Sequence, residues 1–358
     1  MNRRNFIHSA VSVLSLKAIE HGSAATGSTL GPSSRKTADL ARFEKMSLGV
    51  SYCFGMNTFT GNDYDEGTAP ASTYAPNQLN LDQWLAVAAR IGARYAILTA
   101  QHMSGFCLWD ADDYNYDVAA SGNRTDVVAA FMAACDKYNI MPGLYYCILD
   151  PRNEGSKGKV DWSGRVSPSY YAFVLRRIKE LHRNYKGIGL QVIDIPGKLS
   201  PEQRWEIYRV VKSLSPHCLM MVNQTWDPSK ANQGRISTPE AWPTDIIVSE
   251  DELPPMEGHN SSVEYEGHRY YMPMLSWLPI GPFYRETKYR DWFWNPQFKT
   301  RPATEIFDLY QKTVSRNASF LMNLSPDSRG LLPDEQVEQM NHLAEFLHES
   351  RERNKTKR

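Results

Sequence analysis

Two carboxylates in this chain stand at the ends of apolar runs. Asp194 closes the run in GIGLQVIDIPG, just before Pro196 and Gly197, and Glu250 holds the matching place after DIIVS. A carboxylate in such a setting is desolvated unless it is paired. Asp194 lies too far ahead of Pro201 to cap the helix which that proline opens, so a chemical role is the stronger reading. Asp251 and Glu252 follow Glu250 at once, as plain solvated charges or as rivals for its role. One carboxylate as nucleophile and one as acid, supplied by different strand ends, form the minimum equipment of a glycosidase. A retaining enzyme holds them roughly 5–5.5 Å apart.

A third stretch, ARYAILTAQHMSGFCLWD, runs from β-forming residues at Tyr95–Leu98 into a polar and aromatic cluster of Thr99, Gln101, His102, Ser104 and Trp109. A strand that opens onto such a cluster reads as the floor of a binding site. His102 is the one histidine at a strand end inside an aromatic group, which favours ligand contact over a structural role. Other chemistries find no support. There is no G-x-S-x-G, no P-loop and no G-x-G-x-x-G. The nine histidines are scattered without an H-x-x-x-H pair, so neither a metal nor another cofactor is expected. Lys plus Arg and Asp plus Glu both number 40, which leaves no basic excess for a nucleic acid. Aromatic residues make up 11%, with nine Trp and nineteen Tyr; their faces suit the C–H faces of sugar rings, or an aromatic core.

The elements that would position these groups alternate. Short apolar runs at Leu48–Phe54, Tyr95–Leu98, Met141–Tyr146, Gly189–Ile193, Leu219–Asn223, Ile246–Ser249, Tyr271–Met274 and Ser319–Asn323 read as strands. Amphipathic segments at Asp82–Ile91, Asp126–Tyr138, Ser169–Tyr185 and from Pro201 to about Ser215 read as helices. Eight strands alternating with helices predict an α/β fold, a (β/α)8 TIM-like barrel. Its later units are less regular, Asp251–Thr300 reads as long loops, and no C-terminal β-sandwich is expected. Barrel chemistry sits at the C-terminal strand ends. Here these are Asn57–Asp63, Gln101–Ser104, Tyr145–Asp150, Asp194, Asn223–Thr225 and Glu250.

Residues 1–38 read as an export signal and linker, and 39–358 as a single catalytic domain. Arg3 and Arg4 precede the apolar stretch Phe6–Leu16 and small residues at Ser23–Ala25, a layout similar to a twin-arginine signal, which predicts a periplasmic or secreted protein. No other segment approaches a membrane span. The five cysteines, Cys53, Cys107, Cys135, Cys147 and Cys218, are odd in number and mostly in apolar patterns, so they are expected to be free and buried.

From about Arg42 to Leu347 the motifs resemble glycoside hydrolase family 29, the α-L-fucosidases. YCFGMNTFTGNDYDEG is similar to the family's I-H-F-G-x-N-T-F-x-x-x-E-W, YAILTAQHMSGFCLW to L-T-A-K-H-H-D-G-F-x-L-W, and GLYYCILD to its G-x-Y-x-S strand. LHRNYKGIGLQVIDIPG resembles L-x-x-x-Y-x-x-I-x-x-x-W-F-D-G, which implies that Asp194 is the nucleophile. DIIVSE resembles D-F-x-T-x-E, which implies that Glu250 is the acid/base, although that position varies within the family. SRNASFLMNLSPDSRGLLPDE resembles the closing S-x-N-x-x-L-L-N-x-x-P-x-x-x-G-x-I-P. The resemblance implies a fucosylated oligosaccharide or glycan as substrate, a double-displacement mechanism, and a sugar pocket containing His102, Tyr145, Trp109, Asp63, Tyr64, Met103, Cys53 and Thr225.

Several pocket positions depart from the family pattern. Cys53 stands for a histidine, Gln101 for lysine, Met103 for the second histidine, Ser104 for aspartate and Thr225 for arginine, while Asp63–Tyr64 replaces Glu-Trp. Thiol and thioether groups bond sugar hydroxyls only weakly. The expectation is weak action on simple aryl fucosides, with binding drawn from longer glycans through Trp277, Trp292 and Trp294 in the long loops. Two alternatives remain open: a non-catalytic sugar-binding barrel, and a glycosidase of the same fold for another sugar.

Overall fold

Eight parallel strands, buried along nearly all their length, form one sheet that curls into a barrel. The computed structural model describes residues 31–155, 161–162, 164–223, 242–251, 253, 260–281 and 292–355. The expected export signal and Thr225 lie outside them. In chain order the elements are α1 (Ala38–Glu44), β1 (Leu48–Tyr52), α2 (Met56–Thr60), α3 (Leu81–Ile91), β2 (Tyr95–Gln101), α4 (Val127–Lys137), β3 (Met141–Cys147), α5 (Pro168–Asn184), β4 (Leu190–Asp194), α6 (Pro201–Leu214), β5 (Leu219–Val222), β6 (Ile247–Glu250), β7 (Ser262–Tyr265), β8 (His268–Tyr271), β9 (Met274–Pro279), α7 (Ala303–Ser315), β10 (Ala318–Leu324) and α8 (Asp334–Lys355).

The sheet order is β5-β4-β3-β2-β1-β10-β9-β6. Among the described residues, β5 and β6 meet through one bridge pair, Met221 and Ile246. A main-chain bond from the Asp245 amide to the Met220 carbonyl at 2.9 Å and two side chains fasten the rest of that seam. The Asp245 carboxylate accepts from the Met220 amide at 2.8 Å, and the Thr244 hydroxyl accepts from the Val222 amide at 3.2 Å. The outcome is a (β/α)8 barrel with an antiparallel β7–β8 hairpin beside it.

Local chemistry explains where the helices begin. Ser200 and Gln203 form a reciprocal capping box ahead of Pro201 on α6, and Ser167 caps α5, which starts at Pro168. Close approach requires the glycine at Gly49. A Cβ on Gly49 would lie 2.3 Å from the Tyr95 ring, which crosses β1 and reaches Ser319 with its hydroxyl at 2.8 Å.

Apolar residues fill two layers. One lies between the sheet and its helices, including Trp84, Phe131, Ile178, Val211 and Leu343. The other fills the barrel interior with Tyr95, Ile97, Val192, Met221, Val248, Leu275 and Leu321, and rises to Cys53, Met103, Tyr145 and Trp277 at the C-terminal strand ends.

Six of the eight expected strands fall within two residues of their observed bounds at both ends; the second runs three residues further, to Gln101. The exception lies in YYMPMLSWLP. The expected strand Tyr271–Met274 splits at Pro273, which has no N–H to donate to a ladder. Tyr271 ends the hairpin, and the seventh barrel strand is Met274–Pro279. The stretch expected as long loops therefore holds a hairpin and a barrel strand.

Candidate active site

Asp194 ends β4 and Glu250 ends β6, on the same rim of the barrel. Between them Asn223 follows β5, and its side-chain amide bonds both. Asn223 Nδ2 lies 2.9 Å from Asp194 Oδ1 and 2.9 Å from Glu250 Oε2. Those two oxygens are thus at most twice that length apart. Asp194 Oδ1 also accepts from the Ile195 amide at 2.9 Å. Ile195 sits in the left-handed region at φ 53°, which turns the chain sharply away from the carboxylate. Asp194 caps no long helix, since Ser200 does that for α6.

Tyr145, on β3, donates its hydroxyl to Asp194 Oδ2. Burial, and then the nearby Asp194 charge, push the phenol well above its usual range, so it remains a donor. His102 stacks on Tyr145 with ring centroids 5.5 Å apart and meets Phe293 edge-on at 4.9 Å. Burial pushes its pKa down to about 3, which favours the neutral imidazole. Its Nδ1 is buried without a partner.

These groups line a pocket together with Cys53, Asp63, Tyr64, Met103, Trp162, Ile195, Trp277 and Trp292. The Cys53 thiol, pushed up by burial, accepts from the Thr99 hydroxyl at 3.5 Å. Cys53 and Met103 give one wall an apolar surface. Asp63 turns both oxygens to the wall itself, accepting from the amides of Trp292 at 3.1 Å and Phe293 at 3.2 Å.

A buried polar network fixes the wall formed by Cys53, Trp277 and Trp292. Asn323 on β10 accepts from Ser51 at 3.0 Å and from the Cys53 amide at 3.1 Å, and donates to the Trp292 carbonyl at 2.7 Å. Ser51 in turn receives the Trp277 indole N–H at 2.8 Å. Trp277 and Trp292 are only 3% and 8% exposed. They are pocket walls, Trp277 on strand β9, and not outlying loop contacts for a long glycan.

Of the residues expected in the site, the structure gathers Asp194, Glu250, His102, Tyr145, Asp63, Tyr64, Met103, Cys53, Trp277 and Trp292. Trp109 is a correction. Gly105, at φ 76°, turns the chain after β2, and the fully buried Trp109 ring donates to Glu180 on α5 at 3.1 Å, away from the pocket. Gln101 is also withdrawn: its carbonyl takes the Cys147 amide at 3.2 Å. Three pocket residues escaped sequence reasoning as site residues, Ile195 beside Asp194 among them. Asn223 was visible only as a strand end, and Trp162 sits in the polar stretch EGSKGKVDWSG, where no periodicity marks it.

Comparison with known proteins completes the description. The profile of a family described as Alpha-L-fucosidase matches residues 50–352. Alpha-L-fucosidase 1 of Arabidopsis thaliana is 27% identical over 315 residues, covering 84% of this chain and 58% of its own length. This chain thus spans little more than half of that relative. A solved structure from Bacteroides thetaiotaomicron superposes with a TM-score of 0.71 at 22% identity, covering 90% of this chain and 69% of the other. Alpha-L-fucosidase AlfC from Lactobacillus casei, solved in complex with its α-L-fucose product, superposes with a TM-score of 0.68 at 18% identity, covering 88% of this chain and all of its own.

Proposed function

Because the chain belongs to the α-L-fucosidase family, glycoside hydrolase family 29, we propose that it is an exported retaining α-L-fucosidase acting on fucosylated glycans, with Asp194 as nucleophile and Glu250 as acid/base. The observation that carries this reading is the Asn223 amide, which holds one oxygen of each carboxylate 2.9 Å away. That spacing is compatible with the roughly 5–5.5 Å separation of a retaining pair.

The chemistry runs in two displacements. An Asp194 oxygen attacks the anomeric carbon while the bond to the leaving oxygen breaks, and Glu250 gives that oxygen its proton. Water then attacks the glycosyl-enzyme, Glu250 takes the water's proton, and Asp194 leaves as carboxylate. Asn223, Ile195 and Tyr145 supply donors to Asp194, so its lone pairs are aimed before substrate arrives. The neutral His102 ring offers a hydrogen bond to a sugar hydroxyl. Export is proposed on the paired arginines and apolar stretch at the N-terminus.

The apolar wall of Cys53 and Met103 favours one second reading, a glycosidase of the same fold for a different sugar. A panel of glycosides separates the two. The mechanism is tested by Asp194→Ala and Asp194→Asn, expected to lose turnover roughly a thousandfold or more while remaining folded. Azide should partly restore the Ala variant and give a product of opposite anomeric configuration. Turnover near the wild-type level in either variant would remove Asp194 from the mechanism.

A further inference from the structure

Among the described residues, two large apolar side chains stand exposed: Trp162 at 53% and Tyr64 at 39%. Both line the pocket mouth, and they meet edge to face with ring centroids 5.6 Å apart. They come from different loops, Tyr64 from the connection after α2 and Trp162 from the connection between β3 and α5. Exposing an indole to water is unfavourable, and a monomer rarely gathers its exposed aromatics at one spot without a ligand to cover them.

The loop that carries Trp162 is tied to the segment that follows Asp194. Lys198, 1% exposed, donates to the Asp161 carbonyl at 2.6 Å and pairs with Glu154 at 2.8 Å. Arg165 donates to the carbonyls of Gly197 at 2.6 Å and Leu199 at 2.5 Å. The Val166 amide bonds the Lys198 carbonyl at 3.1 Å. Trp162 is therefore flanked on both sides by residues fixed to the stretch just beyond the carboxylate.

We propose that Trp162 and Tyr64 form a binding subsite for the sugar on the leaving-group side of the bond that is cut, taking the C–H face of a hexopyranose. This rests on the glycosidase reading of the pocket. With the reacting ring held beside Asp194, Glu250 and His102 inside, the rest of the glycan leaves through the mouth and passes these two rings. The walls Trp277 and Trp292 are buried and serve the inner ring; recognition of a longer substrate belongs to the rim. Remote binding of this kind is used to orient the reacting bond for the transition state, so its loss reaches kcat as well as KM.

The test compares wild type, Trp162→Ala and Trp162→Phe on methyl α-L-fucoside and on the best of a set of α1,2-, α1,3-, α1,4- and α1,6-linked fucosyl oligosaccharides. Wild type should prefer the oligosaccharide. Trp162→Ala should lower its kcat/KM roughly tenfold, the effect of losing one ring contact, and lower that for methyl fucoside by a clearly smaller factor. Trp162→Phe should recover most of the loss. A wild type without that preference, or an equal effect on both substrates, overturns the subsite. If wild type cleaves no fucoside at all, the fucosidase reading fails by itself. The subsite is then read by tryptophan fluorescence titration with the same oligosaccharides: weaker binding to Trp162→Ala sustains it, and equal or absent binding overturns it.

Discussion

The side-chain amide of Asn223 has two N–H bonds, and it gives one to each carboxylate of the site. Removing it takes the shared donor from Asp194 and Glu250, while Ile195 and Tyr145 still hold Asp194. Asn223→Ala should lower kcat by roughly ten- to a hundredfold, with a melting temperature close to wild type. Unchanged turnover would show that the pair is aligned by other groups. Asp194, Glu250 and His102 were legible in the sequence because each is a polar side chain where an apolar run stops, and barrel geometry turns that position into a rim position. Trp109 was misread because closeness along the chain to His102 does not survive the turn at Gly105. An exposed Trp162 leaves no trace in hydropathy at all, since loops carry no period against which it could stand out.

Behind the pocket, the β3–α5 connection is organised by Asp150, which is fully buried. Its oxygens accept from the Asn153 amide at 3.0 Å, the Asn153 side chain at 2.6 Å and Gln101 at 3.5 Å, while its own amide bonds Glu154 at 2.9 Å. Burial dominates over these donors and raises its pKa from 3.8 to about 7, with Glu154 adding to the rise and Arg152 opposing it. The folded chain therefore keeps a proton that the unfolded chain releases between those values. The stability this group contributes is complete below about pH 3.8 and is lost as pH climbs to 7. Asn at this position does not titrate. The stability of Asp150→Asn relative to wild type should thus improve by more than about 1 kcal/mol from pH 4 to pH 8, read from urea unfolding at both. An identical difference at the two pH values would show that Asp150 is charged in the folded state. At this scale the helices and most strands were legible, because caps and periodicity are local. The split at Pro273 was not, since a continuous apolar run is equally suited to one strand or two.

Across the whole molecule, the five cysteines are scattered through the core, each buried and none paired. Alkylation under denaturing conditions without reductant should add five groups to the intact mass; a mass with three or one would mean that disulfides form. Sequence alternation was sufficient for the barrel, yet it carried no information on how the circle closes, because closure depends on residues far apart along the chain. The ladders between the other strands are made by main-chain groups, which every amino acid but proline supplies alike. At the β5–β6 seam, Thr244 and Asp245 contribute with their side chains, and Asn223 spans the gap between Asp194 and Glu250. Many single codon changes can loosen or tighten that joint, whereas the ladders lose a donor only where proline enters. The seam is thus where heritable variation acts most directly on the distance between the two carboxylates, and the lineage can retune its chemistry there without rebuilding the barrel.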